Sequence, residues 1–145
     1  MFNFFKKKQT SPISKIYSTL SINQKMSILN LLLTIGSCDP DESDAQKEMQ
    51  FLNNYIDILG VNANKCTNYL ENYGHDRIIE DLASLTKNQK ELLIIAAWEM
   101  IICDGSPNET ELNVTSTIFE KLGVSYDELI AIVEKSQAFK NYIKK

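Results

Sequence analysis

Two short acidic stretches concentrate the side chains that can do chemistry. The first is Cys38-Asp39-Pro40-Asp41-Glu42-Ser43-Asp44, with Glu48 four residues on. The second is Cys103-Asp104-Gly105-Ser106-Pro107-Asn108-Glu109-Thr110-Glu111. Carboxylates at this density are hard oxygen ligands, suited to Ca, Mg or Mn rather than to a soft metal. The candidate ligands are Asp39, Asp41, Glu48, Asp104 and Glu111. Asp39 and Asp104 each follow a long apolar run read below as a helix. A carboxylate at a helix C-terminus faces the negative end of the dipole, at a cost of roughly 0.3–1 kcal/mol. Two compensations are open. Each Asp can bond the exposed N–H groups of the next helix, with Glu48 or Glu111 closing a capping box. Alternatively, both loops can share one divalent cation. An EF-hand is excluded in both copies. Counting from Asp39, position 6 is Asp44 rather than Gly and position 12 is Gln50 rather than Glu; counting from Asp104, position 12 is Thr115.

Other chemistries find little support. The single histidine, His75, has no His or Cys at ligand spacing and sits in a Gly74-His75-Asp76 break, where a solvated loop position is expected. There is no HExxH, no Gly-rich phosphate loop and no nucleophile–base motif. The chain therefore reads as non-enzymatic, with no catalytic residues assigned. A carboxylate-dependent or metal-dependent hydrolase is the distant alternative. The three cysteines, Cys38, Cys66 and Cys103, form no CxxC and suggest thiols in a reducing cytoplasm. Cys38 and Cys103 are expected as small buried hydrophobes closing two core helices.

The elements that must hold these loops read as helical throughout. Pro12 after Ser11 suits the start of a short helix. Ser21-x-x-Gln24, Ser43-x-x-Gln46, Thr86-x-x-Gln89, Asn108-x-x-Glu111 and Ser125-x-x-Glu128 have capping-box spacing, and Asn62 and Asp76 are further caps. Met49, Leu52, Ile56 and Leu59 predict one apolar face, closed by Gly60; Val114, Ile118 and Leu122 predict another, closed by Gly123. Short helices are expected around Cys66–Leu70 and over 77–85, and a last one around Leu129, Ile132 and Val133. No segment alternates with period two, so strands are not expected.

The chain also repeats itself. Residues 20–39 align with 85–104 at an offset of 65, with six of twenty pairs identical, among them Cys38/Cys103 and Asp39/Asp104. Beyond the loop the offset is 63, matching Glu48 to Glu111 and Leu59-Gly60-Val61 to Leu122-Gly123-Val124. This predicts an all-α bundle of about seven to eight helices, built from two repeats (about 20–84 and 85–145) related by a pseudo-twofold. The two most apolar helices, about 22–37 and 87–103, should lie at its centre, with Trp98 and Met100 in the core rather than in a ligand pocket.

Residues 1–19 precede that single domain as a basic arm. They carry Lys6, Lys7, Lys8 and Lys15 and no acid, a charge of +4 against −8 for residues 20–145. The start has no apolar h-region of a secretory signal, and no run reaches the ~18 apolar residues of a membrane span. With Arg77 the sole arginine and a net charge of −4, no nucleic-acid footprint is expected. Phe2, Phe4 and Phe5 before Lys6–Lys8 have the composition for peripheral membrane contact by residues 2–8, which makes a membrane-recruited adaptor the alternative reading.

The stretch Leu85–Val133, with its apolar helix, Asp104-Gly105, Glu111 and Leu122-Gly123-Val124 turn, resembles the TerB (tellurite-resistance protein B) family. That family includes the N-terminal domain of a membrane-anchored DnaJ-type co-chaperone. Asp39 and Glu48 match in the first copy, where Pro40 replaces the glycine. The resemblance implies an all-helical scaffold with a divalent-cation site on acidic loops. It further implies a protein partner in a stress-response or membrane-associated assembly.

Overall fold

The computed structural model describes residues 17–37, 45–103 and 109–144. Among them are seven helices and no strand: α1 (Ile22–Ser37), α2 (Ala45–Leu59), α3 (Ala63–Ala83), α4 (Lys87–Ile102), α5 (Glu109–Lys121), α6 (Tyr126–Lys135) and α7 (Gln137–Ile143). None is long and apolar enough to cross a membrane.

The capping signals act where they are visible. The Ser21 hydroxyl accepts from the Gln24 N–H, and the Gln24 side chain accepts from the Ser21 N–H. Thr86 and Gln89 form the same reciprocal pair ahead of α4. Asn62 and Ser125 accept from the N–H three residues on, at the starts of α3 and α6. Both predicted glycine stops are left-handed, with φ of 66° at Gly60 and 85° at Gly123. In each, the following valine N–H reaches back to the carbonyl five residues earlier, Val61 to Ile56 and Val124 to Phe119. These are Schellman turns, and they need a residue that enters the left-handed region at little cost.

α1 and α4 are the hub. α1 packs most extensively on α3 and also touches α2, α4 and α5; α4 touches α1, α5, α6 and α7. Leu29, Leu32 and Ile35 of α1 and Leu93, Ile94, Ala96, Ala97 and Ile101 of α4 are buried in one continuous cluster. Each large aliphatic side chain buried there contributes about 1.5–3 kcal/mol of transfer free energy. The polar residues within α1 are satisfied. Asn30 donates to the Cys66 carbonyl at 3.0 Å, and Ser27 donates to Asp81 Oδ2 at 2.8 Å. Asp81 also accepts from the Tyr69 hydroxyl and faces Arg77 at 3.7 Å, so one carboxylate ties α1 to both halves of α3.

The two short helices expected on either side of Gly74 are the two halves of α3, which breaks where Gly74 leaves helical geometry at φ 83° and ψ 173°. The kink keeps both halves against α1, joined through the Tyr69–Asp81 bond. Two expectations about facing are corrected. On α2, Met49 is 56% exposed and Glu48 takes its place on the buried face with Leu52 and Leu59. On α5 the buried set is Glu111, Thr115 and Phe119, with Val114 and Ile118 only half-buried. In both helices the inward stripe is rotated by about one residue so that a glutamate starts it.

Candidate functional site

Of the five candidate ligands, Glu48 and Glu111 are described; Asp39, Asp41 and Asp104 lie outside the described residues. So do Cys38 and the short helix expected from Pro12. Glu48 and Glu111 occupy the first turns of α2 and α5, where a carboxylate meets the positive end of the helix dipole. Glu48 is 9% exposed and Glu111 only 1%. Neither is without a partner, as expected for carboxylates withdrawn from water.

The Glu48 carboxylate lies against the last turn of α1. A Cβ on Gly36 would collide with Met100 Cε and fall 3.2 Å from Glu48 Oε2. The missing side chain therefore lets Glu48 reach the place where α1 and α4 meet. Glu111 is carried by α5, which packs on both α1 and α4. Its own carbonyl accepts from the Thr115 hydroxyl at 2.7 Å, within the first turns of the helix. The two acids are thus drawn into the body at the edges of the two acidic loops. Among the described residues, no group of three or more His, Cys, Asp or Glu side chains is placed to hold a metal ion.

Sequence reasoning missed a second polar cluster. Tyr17 and Tyr55 meet edge to face at 6.3 Å between ring centroids, with Glu99 beside them. Burial pushes the Glu99 carboxyl up from its ordinary value of 4.5, partly offset by the neighbouring Tyr55 hydroxyl, and pushes both phenols up. The signal was present: Glu99 is the only charge within the apolar run of α4. The remaining reactive side chains are placed as follows. His75 is exposed. Cys66 is fully buried, and burial raises its thiol. Cys103 is half-buried rather than buried, because it stands one residue past the last turn of α4 as its C-cap.

Trp98 has a mixed position. It is buried as expected, yet one edge floors an open groove of about 420 Å³ between α4, α5, α6 and α7. Leu112, Tyr126, Leu129, Ile130 and Phe139 form most of its apolar wall. Glu109 and Glu134 are exposed at its margin, and no lysine or arginine lines it among the described residues.

No protein-family model, curated protein or solved structure matches the chain.

Proposed function

We propose that the chain is a non-enzymatic, TerB-like helical binding module whose two acidic loops hold a divalent cation between them. Glu48 and Glu111 supply carboxylates from the body, and Asp39, Asp41 and Asp104 supply them from the loops. The pseudo-twofold pairing of the two repeats belongs to the same proposal. One observation carries it: a glutamate at the same repeat position is drawn out of water in both copies, displacing the apolar residue beside it from the inward stripe. A hard cation with oxygen ligands is a natural counter-charge for such a pair. A cation-held loop pair would give a protein partner a face that forms only when the ion is bound.

Thermal unfolding with and without Ca²⁺, Mg²⁺ or Mn²⁺ tests this. Ion at about 100-fold above its Kd should add about 2.7 kcal/mol to the unfolding free energy. Glu48→Gln and Glu111→Gln should abolish that increment. If the glutamates act only as helix caps, both variants lose stability and no ion shifts the wild-type chain.

A further inference from the structure

The groove beneath α5 and α6 is lined on its walls by apolar side chains that the fold leaves partly bare. Tyr126 is 65% exposed, and Leu112 and Ile130 are each more than a third exposed. Among the described residues its charged margin is acidic only, through Glu109 and Glu134. A matching occupant therefore offers aromatic or aliphatic anchors followed by cations and carries no acid of its own. One segment of the chain has that composition: Phe2, Phe4 and Phe5 followed by Lys6, Lys7 and Lys8.

The chain is also long enough. Tyr17, the first of the described residues, packs on Tyr55, which faces Glu99, the residue next to Trp98 on α4. Eleven residues lie between Phe5 and Tyr17, and the twelve steps from one to the other can span about 40 Å when extended. α4 from end to end is only about 24 Å. The geometry points to the groove between α4, α5, α6 and α7 as the docking site of the chain's own N-terminal arm. The phenylalanines sit over Trp98 and its neighbours, and the lysines face Glu109 and Glu134. This inference is independent of the cation proposal, since it uses none of the candidate ligands.

Trp98 is the only tryptophan, so its emission reports on the groove. The full chain is compared with two full-length variants, Phe2→Ser/Phe4→Ser/Phe5→Ser and Glu109→Lys/Glu134→Lys. Circular dichroism confirms that helix content is kept. Both variants should shift Trp98 emission to the red. A synthetic peptide of residues 1–10 added to the phenylalanine variant should restore the wild-type spectrum. About tenfold more peptide should be needed once Glu109→Lys/Glu134→Lys is added. Wild-type emission in both variants, with no response to the peptide, overturns the proposal. So does a wild-type spectrum that changes with protein concentration, which would assign the groove to a second copy.

Discussion

At the scale of single residues, the buried carboxyls set the electrostatics. Glu99 is held partly out of water beside Tyr55, and its carboxyl titrates above its ordinary value of 4.5. A carboxyl raised by folding favours the native state while it is protonated. That contribution is complete below about pH 4.5 and is lost as pH rises through the folded value. Glu99→Gln keeps an acceptor for Tyr55 and removes the charge. The variant should match wild type in acid and become progressively more stable than it towards neutral pH. Denaturant melts of both chains at a series of pH values measure this, and a difference independent of pH would contradict the assignment. Asp81 follows a different logic. It accepts from Ser27 and Tyr69 and faces Arg77, so its acceptor sites are used within the fold.

At the scale of elements, the chain's punctuation was legible and its facing was not. The starts of α1 and α4 follow from Ser21-x-x-Gln24 and Thr86-x-x-Gln89, because a capping box is a local arrangement of four residues. The stops at Gly60 and Gly123 are local for the same reason. Gly123→Ala should cost about 1 kcal/mol in a urea melt, since φ there is 85° and open space surrounds the site. A neutral Gly123→Ala would mean that the Schellman turn contributes nothing. The rotation of α2 and α5 was not legible. Met49 and Val114 fit the apolar period, but tertiary packing turned Glu48 and Glu111 inward instead. Hydropathy alone places a glutamate in water, whereas here the first turn of a helix and a gap at Gly36 receive one. The break at Gly74 was legible, because its φ of 83° suits glycine; the Tyr69–Asp81 bond that joins the two halves across it was not.

At the scale of the whole molecule, two nearly all-apolar helices sit at the centre of an all-helical bundle, as their patterning required. The groove was not visible in the sequence, because Trp98 and Tyr126 are distant in the chain and their shared wall exists only once α6 folds over α4. The mild net charge of −4 is the sum of +4 over residues 1–19, which include three phenylalanines, and −8 over residues 20–145. We propose two binding faces on the helical body, the groove for the arm and the two acidic loops for a cation. Counting bound ions tests the loop site most directly. Titration of Mn²⁺ into the full chain, followed by calorimetry, should give one ion per chain. Under the proposed shared site, that binding should be lost in Asp39→Ala and in Asp104→Ala alike. No Mn²⁺ binding to the wild-type chain, or wild-type binding in both variants, would contradict it.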